Sequence, residues 1–162
     1  GTLLVKLQGY GIRGVANDLI KSYLTNRSQY TEVVGEKSDA LKIQFGVPQG
    51  SILGPLLFLL YMNDIANCSS LGSFVTFADD TNIFVTGKSK KEAYMRGNSL
   101  LASLYSYMRA NKLHVNMSKC CFIHFKPASS SQTDNNSEYT LTIDNFPIKQ
   151  VASAKFLGVV ID

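Results

Sequence analysis

A short strand, a turn carrying two adjacent carboxylates and a second short strand limit this chain more than any other stretch. Phe74, Val75, Thr76 and Phe77 have the aromatic and β-branched character of one strand, and Ile83, Phe84 and Val85 that of another. Asp79, Asp80, Thr81 and Asn82 then fall in the connection. Strand side chains alternate between faces, so neighbouring aspartates share a ligand only where a turn breaks the alternation. Asp79 is therefore expected to be the principal metal ligand. A carboxylate at a hairpin tip suits a hard cation such as Mg²⁺, which prefers oxygen and keeps several waters for substrate phosphates to displace. Phosphoryl transfer is the reaction that needs such a site. Aspartate is also an ordinary turn residue that hydrogen-bonds its own backbone, so the pair alone decides little.

Apolar residues Val15, Leu19, Ile20, Tyr23 and Leu24 predict a helix over 15–26. Gln29 to Val34 and Leu41 to Phe45, around the polar Gly35 to Asp39, predict a hairpin. Gly46-Val47-Pro48-Gln49-Gly50-Ser51-Ile52-Leu53-Gly54-Pro55 holds too many breakers for regular structure. Within it Gly50 has no Cβ to keep a backbone or a flat base away, and Gln49 offers an amide that both donates and accepts. Pro55 is preset for a first helical turn and should open an apolar helix over 56–67. Ser89-Lys90-Lys91-Glu92 has the form of a capping box and should begin a long helix ending near Asn111, with Leu100, Leu101, Leu104, Tyr107 and Met108 on its core face. A strand is expected from Cys120 to Phe125. Residues 127–138, rich in Ser, Asn and Asp, read as a flexible surface loop. Short strands follow over 139–143, 147–151 and 155–161, with Gly158 inside the last.

The chain has 162 residues, 45% hydrophobic and 17% charged, which fits one globular unit with a sizeable core. Sixteen Lys and Arg against twelve Asp and Glu give a net +4, compatible with a polyanionic partner yet far from a histone-like charge. Three cysteines, Cys68, Cys120 and Cys121, lack metal-ligand spacing, and their odd number argues against a disulfide framework, leaving buried thiols in a reducing compartment. His114 and His124 have no ligand-like company and read as surface or packed side chains. The longest apolar run, Ile52 to Met62, is too short to span a bilayer. Both ends read as cut, inside a helix at Gly1 and inside a strand at Asp162, so a fragment of a longer polypeptide is expected.

Four segments stand in a telling order: Gly46 to Pro55, then Phe77-Ala78-Asp79-Asp80, then Asn111 to Lys119, then Lys155-Phe156-Leu157-Gly158 to Asp162. In this order they resemble the reverse transcriptases of non-long-terminal-repeat retrotransposons, the jockey-like and other LINE-type elements, over nearly the whole chain from about Leu3. The resemblance implies an α+β fold: a palm of antiparallel sheet with helices on one face, plus part of the fingers, with a hairpin near 28–46, incomplete at the N-terminus. It implies an RNA-directed DNA polymerase that adds deoxynucleotides to a primer 3′ hydroxyl by two-metal phosphoryl transfer. Asp79 and Asp80 would then be catalytic metal ligands for Mg²⁺, with Mn²⁺ the alternative. Lys119 would neutralise the leaving pyrophosphate; Pro48, Gln49 and Gly50 would place nucleotide and template; Phe156, Leu157 and Gly158 would hold the primer. Arg27, Lys37 and Lys42 on the outer hairpin are candidates for phosphate contact or for plain solvated charge. Tyr107 stands where relatives usually carry tryptophan.

The implied partners are an RNA template, a DNA primer, deoxynucleoside triphosphates and the remainder of a parent polyprotein, with no membrane. The implied setting is a ribonucleoprotein of cytoplasm and nucleus. A further aspartate motif, expected before the first helix, is missing here, so the segment alone is expected to be inactive. The alternative is a non-catalytic remnant or a domesticated nucleic-acid-binding fold.

Overall fold

A computed structural model describes residues 1–43, 46–48, 50–125 and 139–162. The chain is α+β and divides into two compact units, Gly1–Asp64 with Phe77–Asp80, and Ile65–Thr76 with Thr81–Asp162. The predicted loop at 127–138 lies outside the described residues.

In the first unit, helices α1 (Thr2–Gly9), α2 (Val15–Leu24) and α3 (Leu53–Met62) pack with α1 against both of the others. Leu7 of α1 is wholly buried and Leu57 and Met62 of α3 nearly so. Complete burial of one such leucine contributes roughly 1.5–3 kcal/mol. Polar groups fasten the same contacts. The buried Asn17 side chain of α2 donates to the carbonyl of Leu4 in α1 and to that of Ile12 in the connection, tying the two helices together. Lys6 Nζ donates to the Tyr61 carbonyl at 2.7 Å and to Asp64 at 2.6 Å, and its ammonium lies over the Tyr61 ring. Burial pushes the Tyr61 hydroxyl up, with a Thr2 hydrogen bond working against it.

Between α2 and α3 the chain forms a hairpin: β1 (Ser28–Gln29) pairs antiparallel with β4 (Leu41–Lys42), and β2 (Glu32–Val33) with β3 (Glu36–Lys37). The return strand starts at Glu36, earlier than the sequence suggested, because Val34 and Gly35 both take positive φ and close a two-residue turn. Register 28↔42 and 32↔37 differ by one residue, which marks a bulge between the two ladders.

The second unit is built on α4 (Lys90–Ala110). Ser89 caps it by accepting from the Glu92 N–H, and Glu92 Oε2 reaches back to the Lys88 N–H at 2.8 Å. Tyr94, Leu100, Leu101 and Leu104 are its buried face, packed on a 3₁₀ turn at Ile65–Cys68 and on β8 (Thr142–Ile143). Asn98 acts as an extra strand partner: its amide donates to the Thr140 carbonyl, and its oxygen accepts from the Thr142 N–H, both at 2.9 Å. β8 turns through Asp144 and Asn145, both at positive φ, into β9 (Phe146–Pro147). β7 (Cys121–Phe122) pairs parallel with β10 (Lys149–Gln150). Tyr94 holds Phe122 and His124 edge-on at 5.8 Å, so His124 is a packed side chain while His114 is exposed.

The structure corrects several expectations. The segment 155–161 is not one strand but a hairpin, β11 (Ala154–Phe156) against β12 (Val159–Ile161), and Leu157 and Gly158 at positive φ form its turn. Among the described residues the strands pair as six two-stranded ladders, one of them parallel, so they do not form one antiparallel sheet. Cys121 is an exposed free thiol, and Cys68 and Cys120 are only half-buried. Among the described residues no helix is long and apolar enough to cross a membrane.

Candidate active site

The breaker-rich segment and the aspartate turn meet at one cavity in the first unit. Pro48 and the helix behind it are held by Ser51. Its Oγ donates to the Pro48 carbonyl at 2.6 Å and accepts from the Gly54 N–H at 3.0 Å. Ile52 already has helical φ and ψ, so Ser51 serves as the effective cap of α3, which starts ahead of Pro55 rather than at Leu56. Pro55 fits there because N–H groups of a first helical turn have no partner within the helix. Gly50 sits at φ +78°, a backbone conformation that costs other residues about 1 kcal/mol or more, and there is open space where its Cβ would be. Its glycine is thus required by the turn.

Residues 73–77 and 80–84 form β5 (Ser73–Phe77) and β6 (Asp80–Phe84), paired with one another. Only Ala78 and Asp79 lie between them, with Ala78 at φ +51°. The connection is shorter than expected, and Asp80, Thr81 and Asn82 are strand residues. Both aspartates are exposed. Asp79 lines the cavity, whose volume is about 430 Å³, together with Ala78, Val47, Pro48, Gly50 and residues of α3 that include Phe58 and Leu59. Asp80 is not among the lining residues, in keeping with strand alternation. Gln49 lies outside the described residues.

The remaining expected site residues belong to the second unit. Lys119 is exposed at the end of a 3₁₀ turn, Met117–Lys119, capped by Asn116, whose side chain accepts from the Ser118 N–H. Phe156, Leu157 and Gly158 form the tip of the β11–β12 hairpin, with Leu157 exposed. Ser51, which joins loop to helix, escaped the sequence reading. Its signal was the spacing Ser51 to Gly54, an N-cap followed by a position too tight for a side chain.

The donor chemistry fits a hard divalent cation: a carboxylate at a cavity that is otherwise mostly apolar, with a second carboxylate next in sequence. Among the described residues there is no group of three or more His, Cys, Asp or Glu able to enclose a metal ion. Such a cation would rely on water and substrate oxygens for most of its shell.

Residues 2–161 match the family described as reverse transcriptase (RNA-dependent DNA polymerase), and the chain belongs to that family. More narrowly, it is a reverse transcriptase domain of the non-long-terminal-repeat retrotransposon type, as the order of its motifs implied. It is 26% identical over 151 residues to the RNA-directed DNA polymerase from mobile element jockey of Drosophila melanogaster, covering 89% of this chain and 16% of that protein. It is 29% identical over 148 residues to the probable RNA-directed DNA polymerase from transposon X-element of the same fly, with the same two coverages. Against the retrovirus-related Pol polyprotein from type-1 retrotransposable element R1 2 of Nasonia vitripennis, identity is 33% over 121 residues, 70% of this chain and 28% of that protein. The chain thus spans 16% of the length of the first of these curated relatives. No solved structure matches the chain.

Proposed function

We propose that this chain is the part of an RNA-directed DNA polymerase that receives the incoming deoxynucleoside triphosphate. The observation that carries the reading is that Asp79 lines one cavity with Val47, Pro48 and Gly50 of the breaker-rich loop. On this reading α3, the cavity and the Asp79 turn belong to the palm, and the 28–42 hairpin to the fingers. The reaction is in-line transfer: the primer 3′ hydroxyl bonds the α-phosphorus as pyrophosphate leaves.

Asp79 and, more weakly, Asp80 would hold Mg²⁺, or Mn²⁺ in its place, as one side of a two-metal ligand set. Bound there, the cation supplies positive charge against the phosphate oxygens. Val47, Pro48 and Phe58 give base and ribose an apolar surface that keeps water away. Lys119 offsets charge on the departing pyrophosphate, and Phe156 to Gly158 steady the primer. The partners are an RNA template, a DNA primer and the rest of a longer polypeptide, working as a ribonucleoprotein in cytoplasm and nucleus.

In the full-length polypeptide, Asp79→Asn should lower primer extension on an RNA template by at least about a hundredfold, because it removes a charge that acts on the reacting phosphate. Template retention on a filter should stay within about twofold, since phosphate contacts elsewhere dominate affinity. Extension at the unmutated rate would refute the assignment, and loss of folding would make Asp79 structural. A second reading, a remnant or domesticated fold that binds nucleic acid without catalysis, draws on the single cavity carboxylate among the described residues. Template retention with no extension by the unmutated full-length polypeptide would favour it.

A further inference from the structure

Ser51 makes more bonds than a helix cap requires. A cap needs only to accept from an N–H of the first turn, as Ser51 does from Gly54. The same hydroxyl donates to the Pro48 carbonyl at 2.6 Å, and the Ser51 N–H reaches that carbonyl at 3.4 Å. Gly54 completes the joint: a Cβ there would lie 2.9 Å from Ser51 Oγ and 3.0 Å from the Pro48 carbonyl oxygen, so a side chain at this position would push on both partners of the bond. Pro48, Gly50 and Gly54 all line the cavity, whereas Ser51 does not. One hydroxyl behind the wall therefore sets the distance between the loop side and the helix side of the space that faces Asp79.

We infer that Ser51 is a positioning residue for nucleotide binding, one that never touches the substrate but fixes the cavity wall on which base and ribose rest. The inference rests on the cavity being the nucleotide site. It separates two roles of the same side chain. Glycine is nearly as good a helix cap as serine, so a purely structural Ser51 could be replaced by glycine with little effect. The short hydroxyl bond to Pro48 cannot be replaced that way, because glycine keeps only the backbone N–H at 3.4 Å and has no side-chain donor. Threonine keeps both bonds.

The test is templated primer extension by the full-length polypeptide carrying Ser51→Gly, Ser51→Thr or Asp79→Asn, with thermal unfolding of each. Ser51→Gly should raise the KM for deoxynucleotide about tenfold, as loss of ground-state positioning does, with kcat within about twofold. Ser51→Thr should restore the KM. Unchanged KM in Ser51→Gly, with Asp79→Asn inactive, overturns the positioning role and leaves the nucleotide site standing. Full activity in Asp79→Asn overturns both. Unfolding of Ser51→Gly also overturns the inference, since the hydroxyl would then be a folding element.

Discussion

Cys120 and Cys121 share a peptide bond but not an environment. Burial first, and the neighbouring Cys121 second, push the Cys120 thiol above its ordinary value, and its sulfur lies 3.3 Å from the Asn116 carbonyl. Cys121 is exposed. Thiolate is the reactive form, so iodoacetamide near neutral pH should label Cys121 well before Cys120, the gap narrowing as pH rises. Peptide mass spectrometry over a pH series reads this directly, and equal rates near neutrality would contradict the packing of Cys120. The sign for stability follows: the folded state favours the protonated thiol, a contribution complete below the unfolded thiol's value and lost as pH rises through the folded one. At this scale the sequence was legible where a residue's chemistry forces its backbone. Gly50 was read as a breaker and stands at φ +78°. Val34 and Leu157 also take positive φ, and nothing in a valine or leucine announces it. Partner strands impose those turns, and one sequence does not display strand partners.

Whole elements were read better than their edges. The Ser89 box marks the start of α4 because capping uses neighbours in sequence, and the structure keeps it. The aspartate hairpin was also legible, but Asp80 was placed in the connection when it begins β6. Polar residues suggest a turn, and only pairing shows how tight it is. The tie between α4 and β8 joins positions more than forty residues apart and has no local signature. Asn98→Ala would leave the Thr140 carbonyl and Thr142 N–H without these partners. A cost of about 1–2 kcal/mol is expected, because groups deprived of a partner lose more than an average hydrogen bond contributes. Urea unfolding should show a lower midpoint at unchanged slope. A midpoint within error of the unmutated chain would mean that water substitutes for the amide and that α4 is held by its leucines alone.

Over the molecule as a whole, the arrangement of acids decides what the chain can do unaided. Its acidic residues number twelve, yet Asp79 alone among the described ones lines the cavity, and no described cluster reaches three metal-binding side chains. Mg²⁺ demands near-octahedral oxygen geometry and gives up water reluctantly, so exposed carboxylates at one turn hold it only loosely. Binding at millimolar strength limits the stabilisation at a few millimolar metal to less than about 1 kcal/mol by mass action. The 162-residue chain should therefore show a melting temperature shifted by less than about 3 °C on adding millimolar MgCl₂. With RNA template, DNA primer and deoxynucleotides it should give no templated product on a sequencing gel. If carboxylates from a full-length polypeptide complete the site, that polypeptide should give both product and a larger shift. Templated extension by the 162-residue chain that vanishes in Asp79→Asn would show instead that the acids present here suffice, and the need for a ligand from elsewhere would be wrong.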